Sequence, residues 1–244
     1  MKRLPFISIA RMDQPSILSL FESQANPERA AFVARYFKTG PGQYGENDLF
    51  LGLSVGQTRA IAKQFRTLPQ KDVLSLLQNP YHEHRAAALF IWVDQFKKGD
   101  PLQRMEIFES YVAHRQYVNN WDLVDVSARD IVGAFLYDQD RSLLYDYAQS
   151  NHLWSVRIAV IATLYFIKRK EYTDTLALCI LLLSHPHDLI HKACGWMLRE
   201  VGEQDREVLK EFLNEHTLQM PRTMLRYAIE KLPESERQYY LKLK

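Results

Sequence analysis

The chain has 244 residues, of which 47% are hydrophobic and 25% are charged, a balance typical of a folded globular protein. Its net charge of +2 excludes a protein that binds nucleic acid through bulk positive charge alone, so any such affinity has to come from charge placement. The nine glycines leave little material for tight turns and hairpins, which favours helices. We expect one domain over residues 1–244, large enough to bury a substantial core.

In chain order, the predicted elements are helices, because apolar residues recur at helical spacing and convincing period-two strands are absent. Asn26-Pro27 and Asp100-Pro101 place a capping side chain before a proline at the first helical position. Ser54 and Gln57 have the spacing of a capping box. The predicted helices cover 14–24, 27–38, 55–66, 70–78, 82–97, 101–114, 119–136, 140–149, 153–169, 173–184, 188–202, 205–215, 221–231 and 234–242.

The one irregular stretch runs from Thr39 to Leu49, where several glycines and a proline gather among polar residues. This composition is typical of an exposed loop. We expect the loop to separate a first helical pair from the rest of the chain.

The cysteines and the N-terminus bear on the cellular compartment. Cys179 and Cys194 lie in apolar stretches without zinc-ligand spacing, so we predict two reduced, structural thiols. Met1 to Ala10 contains a basic pair and a short apolar run, but Arg11 interrupts it and no cleavage site follows. No apolar run approaches the ~20 residues of a membrane span. We therefore expect a cytoplasmic protein with no membrane partner.

An internal repeat becomes visible when helices are aligned on a basic residue followed closely by alanine. The last three occurrences are 35 and 34 residues apart, a period typical of stacked pairs of antiparallel helices. We therefore predict an all-α, HEAT/armadillo-like solenoid with a concave DNA-binding face. The aligned segments are Arg59-Ala60, Arg85-Ala86, Arg157-Ile158-Ala159, Lys192-Ala193 and Arg226-Tyr227-Ala228.

The five basic residues of this repeat are expected to line one curved face of such a stack. A row of cations there would suit a phosphate backbone. The alternative is that they are solvated charges on helix surfaces, which is the usual place of lysine and arginine.

The most unusual run spans Asn119 to Asp125, in which Trp121 and Asp125 are four residues apart. On a helix this spacing puts a carboxylate beside an indole, where burial without a partner is costly. An N-cap role does not explain Asp125, because we place it in the middle of the predicted helix.

Two further tryptophans accompany basic residues in successive repeats. Trp154 lies three residues before Arg157, and Trp196 lies four residues after Lys192. Aromatic rings interleaved with cations are typical of nucleic-acid contact, although a single tryptophan is more often a core residue.

Other catalytic and metal-binding patterns have little support. His187 and His191 are four residues apart, but no third ligand is evident nearby, so we predict no metal site. The sequence contains no phosphate-binding glycine loop and no Ser-His-Asp order, which disfavours nucleotide hydrolysis and acyl transfer. We expect no cofactor.

Over roughly its whole length, the sequence resembles the AlkD-like DNA alkylation repair family. The resemblance implies HEAT-like repeats that clamp DNA and hydrolyse the glycosidic bond of cationic N3- and N7-alkylpurines without flipping the base. It implies double-stranded DNA as the partner, and we expect a monomer that is nucleoid-associated when bound to DNA. The matching segments are Asn120–Asp125, Trp154-x-x-Arg157, Lys192–Trp196 with Leu198–Glu200, and Pro221-Arg222 leading to Leu225–Ala228.

The resemblance also assigns roles to individual residues. It implies that Asp125 is the catalytic carboxylate and that Trp121 and Trp196 flank the sugar of the lesion. Arg157 looks like the family's backbone-contacting arginine, and Tyr36 resembles a further aromatic of the cleft. The expected DNA-binding residues are Arg157, Trp154, Lys192, Arg85, Arg59, Arg226 and Tyr36.

Two other functions remain open from the sequence. Divergent branches of the family bind DNA without excising bases, so a non-catalytic binder of bent or branched DNA is one alternative. A protein-interaction scaffold, the commonest use of helical solenoids, is the other.

Overall fold

The computed structural model describes residues 16–243, and every regular element in that range is helical. The predicted all-α fold is therefore confirmed. The helices are α1 (Ile17–Ser23), α2 (Pro27–Tyr36), α3 (Val55–Gln64), α4 (Gln70–Leu77), α5 (His82–Lys98), α6 (Pro101–Ala113), α7 (Trp121–Asp125), α8 (Ala134–Leu136), α9 (Ser142–Ala148), α10 (Leu153–Ala162), α11 (Leu164–Ile167), α12 (Thr173–Leu181), α13 (Asp188–Gln204), α14 (Arg206–His216), α15 (Arg222–Ala228) and α16 (Glu234–Leu243). Short 3-10 and π-helical turns cover Arg115–Tyr117 and Arg129–Gly133.

The predicted start signals form the expected caps. The Asn26 side chain accepts a hydrogen bond from the Arg29 amide at 2.9 Å, and Asp100 does the same for Gln103 at 2.9 Å. Ser54 opens α3 with a complete capping box. Each cap satisfies an amide that the first helical turn leaves without an intrahelical partner.

The helices stack in two layers. In the first layer, α3 packs on α5, α7 packs on α10, and α10 and α15 both pack on α13. In the second layer, α4 and α6 pack on α5, α9 on α10, and α12 and α14 on α13. This is the arrangement of a helical-repeat solenoid, in which each pair buries its apolar face against its neighbours.

Helices α13 and α15 of the first layer approach each other closely at Gly195. A Cβ atom on Gly195 would lie 2.5 Å from the Met224 carbonyl oxygen and 2.5 Å from the Tyr227 Cβ. Only glycine therefore allows this approach. The contact fixes the spacing between Trp196, the next residue of α13, and Tyr227.

The predicted continuous helix over 119–136 is wrong. Helix α7 ends at Asp125, and the Ser127 hydroxyl donates to the Leu123 carbonyl at 2.6 Å before the π-helical turn begins. A serine that bonds back to the preceding turn competes with regular helix geometry. Asp125 consequently lies at the end of a short helix and not in the middle of a long one.

Both cysteines are buried and form no disulfide, and the Cys179 thiol donates a hydrogen bond to the Cys194 carbonyl oxygen at 3.7 Å. No helix within residues 16–243 is long and apolar enough to cross a membrane. The predicted features of Met1 to Ala10 and the predicted start of the first helix at residue 14 lie outside the described residues.

Candidate active site

A cavity of 380 Å³ opens on the first layer between α7, α10, α13 and α15. We call it the cleft. It brings together most of the residues singled out in the sequence, although they come from distant parts of the chain. Its lining consists of Tyr36, Tyr44, Trp121, Asp125, Arg157, Leu189, Lys192, Trp196, Arg199 and Tyr227.

Asp125 and Arg157 form a bidentate ion pair in the cleft. Arg157 donates from Nε to Asp125 Oδ1 at 2.9 Å and from Nη2 to Oδ2 at 2.8 Å. Its Nη1 donates to the Leu189 carbonyl at 2.7 Å. The Arg157 side chain is 6% exposed and that of Asp125 is 17% exposed. Parallel hydrogen bonds of this kind fix the carboxylate in one orientation.

The surroundings of Asp125 set its electrostatics. Burial raises the pKa of Asp125, the Arg157 guanidinium opposes that rise, and the nearby Asp122 adds to it. A charge in such a partly buried site acts more strongly on its neighbours than one in bulk water, because the effective dielectric is lower.

Two half-buried tryptophans lie beside the carboxylate. Trp121 stacks on Phe37 with ring centroids 5.4 Å apart and meets the Tyr36 ring edge-on at 6.2 Å. Trp196 donates from Nε1 to Glu200 Oε1 at 2.9 Å. Both rings are thereby held by the protein while part of each surface stays open to the cleft.

Two of the residues predicted to contact DNA are buried in the structure. Arg85 is 4% exposed, and its guanidinium donates to Asp48 Oδ1 at 2.6 Å and to the carbonyls of Asn79 and Pro80. Trp154 is 5% exposed and packs against the Tyr44 ring. The sequence repeat placed Arg85 in the basic row, but both terminal nitrogens of its guanidinium bond to groups inside the fold.

The remaining predicted cations lie at different distances from the cleft. Lys192 lines it and pairs with Asp188 at 2.6 Å, one turn earlier on α13. Arg226 is exposed on α15. Arg59 is exposed on α3, outside the cleft, where its guanidinium lies 4.0 Å over the Phe90 ring. Arg157, the fifth member of the row, is buried in its pair with Asp125.

Two basic residues that we did not predict accompany Arg59. Lys63 on α3 and Arg66, two residues beyond the end of that helix, are exposed and line a 150 Å³ depression together with Arg59. The spacing of four residues between Arg59 and Lys63 could have identified Lys63, because such residues share a helix face. We call these three residues the α3 basic strip.

Sequence reasoning also missed a buried polar network below the cleft. Asp48 accepts hydrogen bonds from Arg85, Asn119 and Asn120, and its Oδ2 lies 3.3 Å from His82 Nδ1. The prediction of an exposed loop over Thr39 to Leu49 is therefore wrong at Asp48, which is buried. The carboxylate anchors the segment because a buried charge requires paired donors.

His82 bridges two carboxylates in this network. Its Nε2 lies 2.8 Å from Asp122 Oδ2, on the opposite side of the ring from Asp48. Burial alone would lower the pKa of His82, but Asp122 and Asp48 outweigh it and raise the pKa to about 9. A charged imidazolium thus ties α5 to α7, the helix that carries Trp121 and Asp125.

The predicted histidine pair has a structural position. His187 Nδ1 accepts a hydrogen bond from the Leu189 amide at 3.1 Å, so His187 caps α13. Within residues 16–243, no group of three His, Cys, Asp or Glu side chains is arranged to hold a metal ion.

Comparison with known proteins adds a family to this geometry. The family model described as "DNA alkylation repair enzyme" matches residues 17–232. A solved structure titled "Predicted DNA alkylation repair enzyme from Enterococcus faecalis" is similar in fold, with a TM-score of 0.68 and 18% sequence identity. The similarity covers 86% of this chain and 98% of that one. No curated protein matches the sequence.

Proposed function

Because the chain belongs to the DNA alkylation repair enzyme family, we propose that it is a DNA glycosylase acting on cationic N3- and N7-alkylpurines in double-stranded DNA. The observation that carries the proposal is the Asp125 carboxylate, held by Arg157 beside the open faces of Trp121 and Trp196. This arrangement combines one fixed negative charge with two electron-rich rings. Both features suit a reaction centre that becomes positively charged.

The chemistry requires little from the protein beyond these groups. An alkylated purine leaves as a neutral base, taking the electron pair of the C1′–N bond and leaving an oxocarbenium-like sugar. Water then adds to C1′ and loses a proton to the Asp125 carboxylate and onward to solvent. Asp125 stabilises the developing charge, and the indole faces attract the cationic base and sugar.

In this proposal Arg157 acts through Asp125. Its burial and its three hydrogen bonds to Asp125 and Leu189 suit a positioning role better than a direct contact with the DNA backbone. Contacts to the phosphates are left to the more exposed Lys192, Arg226 and the α3 basic strip. Arginine and lysine at such positions add affinity without reading sequence.

The cleft also supports a reaction without base flipping. Asp125, Arg157 and Trp196 already hydrogen-bond to protein partners, so they offer little for reading the edges of an extruded base. Recognition would instead depend on the positive charge of the lesion and on the shape of the backbone.

One observation favours a second candidate, a non-catalytic binder of DNA. Both oxygens of Asp125 are engaged by Arg157, which neutralises much of the charge that the reaction would use. In that case the same cleft and cations bind DNA, and the carboxylate serves only the fold.

Product release distinguishes the two candidates. Methylated duplex DNA is incubated with the protein, and free N7-methylguanine and N3-methyladenine are separated by chromatography. Release above the spontaneous rate, measured in parallel without protein, supports the glycosylase. No release from DNA that the protein demonstrably binds would overturn it in favour of the non-catalytic binder.

A further inference from the structure

The segment from Thr39 to Leu49 is anchored to the rest of the protein at its C-terminal end through Asp48 and Leu49. We call the contacts of these two residues the clamp. Asp48 is held by four side chains from two other parts of the chain. Beside it, the Leu49 carbonyl accepts a hydrogen bond from the His82 amide at 2.8 Å. Because the segment is anchored, its side chains have fixed positions, unlike those of a flexible loop.

The chain also turns back tightly just before this clamp. The Gly45 amide donates to the Lys38 carbonyl at 3.1 Å, and a Cβ on Gly45 would collide with the Phe37 carbonyl oxygen. Glycine is required for so close an approach of two backbones. The turn fixes the direction of the preceding residue, Tyr44.

Tyr44 points into the cleft that contains Asp125. Its ring meets Trp154 edge-on at 5.9 Å, and the residue lines the cleft together with Trp121 and Lys192. Burial raises the pKa of Tyr44, while a hydrogen bond that the hydroxyl accepts from the Trp121 side chain and the positive charge of Lys192 oppose that rise. The hydroxyl is therefore a neutral donor at physiological pH.

Most charged groups of the cleft are already occupied by protein partners. Arg157 pairs with Asp125, Arg199 with Glu230, and Lys192 with the half-exposed Asp188. The Tyr44 hydroxyl is thus a donor that can meet an anionic oxygen without breaking an ion pair. Lys192 lines the same cleft as Tyr44, so a cationic group accompanies the hydroxyl there.

We propose that the Tyr44 hydroxyl donates a hydrogen bond to a backbone phosphate adjoining the damaged nucleotide, with Lys192 as the neighbouring cation. This inference rests on the proposed function. It gives the Thr39–Leu49 segment a role, which is to hold the sugar–phosphate of the lesion in register with Asp125. A hydrogen bond to a charged group is worth roughly tenfold or more in affinity.

The test pairs a protein variant with a DNA variant. A duplex carries one pyrrolidine abasic analogue, whose cationic ring nitrogen resembles the charged sugar, and is made with either natural phosphodiesters or a neutral methylphosphonate next to the analogue. Dissociation constants are measured by fluorescence anisotropy for wild type, Tyr44→Phe and Tyr239→Phe. Tyr239 is 55% exposed on α16, outside the cleft, and serves as the matched control.

Wild type and Tyr239→Phe are expected to lose about tenfold in affinity when the phosphate is neutralised. Tyr44→Phe, checked for an unchanged melting temperature, is expected to bind the natural duplex more weakly and to lose at least threefold less on neutralisation. Equal losses in wild type and Tyr44→Phe at either flanking phosphate would overturn the inference and leave the glycosylase proposal intact. A wild type that prefers neither the analogue nor methylated DNA over undamaged duplex would overturn both.

Discussion

Arg157 and Asp125 lie 32 residues apart in sequence, yet two parallel hydrogen bonds of 2.9 and 2.8 Å join them in the cleft. Because both side chains are largely buried, removing either one leaves a charge without its partner. We expect Asp125→Leu and Arg157→Met each to lower the free energy of unfolding by about 3–5 kcal/mol. Equilibrium unfolding in urea measures this loss.

The double variant distinguishes the contribution of the ion pair to stability from that of side-chain packing. Asp125→Leu combined with Arg157→Met removes both charges, so it should recover most of the stability that either single variant loses. Lys98→Met, which removes the exposed pair with Asp94, should cost under about 1 kcal/mol. Additive losses in the double variant would show that the pairing itself contributes little.

The close approach of α13 and α15 predicts that adding a methyl group at Gly195 destabilises the protein, whereas adding one at an uncrowded glycine does not. Gly195→Ala places a Cβ 2.5 Å from the Met224 carbonyl oxygen, which the backbone cannot easily move away. We expect a loss of about 1–3 kcal/mol, together with slower excision because Trp196 shifts. Gly56→Ala, whose Cβ meets only Ser54 Oγ at 3.9 Å, should not lower the melting temperature. Equal melting temperatures for both variants would contradict the tight contact.

The bridge between Asp48, His82 and Asp122 predicts a loss of stability at alkaline pH. The pKa of His82 is raised from 6.5 to about 9 in the folded protein. The folded state therefore binds the His82 proton more tightly than the unfolded state does. The stabilisation that the charged imidazolium provides is complete below pH 6.5 and is lost as the pH rises through 9. We expect the free energy of unfolding to fall by up to about 3 kcal/mol across this interval.

A second histidine provides the control for this pH dependence. Burial and the adjacent Arg85 lower the pKa of His84 to about 4, so His84 is uncharged throughout the interval. His82→Gln should remove most of the slope between pH 6.5 and 9.5, whereas His84→Gln should retain it. Urea unfolding at several pH values measures how the free energy of unfolding depends on pH. If His82→Gln keeps the pH dependence of wild type, the bridge is not its source.

We expect the α3 basic strip to strengthen DNA binding electrostatically, and by the same amount for damaged and undamaged DNA. If Arg59 contacts a phosphate, Arg59→Ala should weaken binding equally for methylated and undamaged duplex. The plot of the logarithm of affinity against the logarithm of salt concentration should become less steep by about 0.9. Arg169→Ala is the matched control, because Arg169 stacks on Tyr165 away from the cleft. A reduced slope in both variants, or in neither, would remove the strip from the DNA-binding surface.

The sequence predicted well those features that depend on neighbouring residues. The caps at Asn26, Ser54 and Asp100 form because a side chain and an amide three residues later meet wherever a helix starts. The grouping of Trp121, Asp125 and Trp196 in one cleft followed from helical spacing and from the family resemblance. The single helix predicted over 119–136 failed at Ser127, where a hydroxyl competes with the backbone.

Features that depend on distant partners could not be predicted. Arg85 and Arg59 occupy equivalent positions in the repeat, but only Arg85 meets a buried carboxylate, Asp48, which lies 37 residues earlier. Tyr44 lies in a glycine-rich segment whose composition indicates an exposed loop, and its place in the cleft depends on that same clamp. The number and spacing of glycines give no sign that a loop is anchored.

Single-turnover excision of N7-methylguanine by wild type, Asp125→Asn and Asp130→Asn tests the central claim most directly. Asp130 is an ion-paired carboxylate that lines a different cavity, so its variant controls for the loss of a negative charge. We expect Asp125→Asn to reduce the rate at least about a hundredfold while leaving DNA affinity within about twofold of wild type. Asp130→Asn should excise at the wild-type rate. Excision by Asp125→Asn at the wild-type rate would contradict a mechanism centred on this carboxylate.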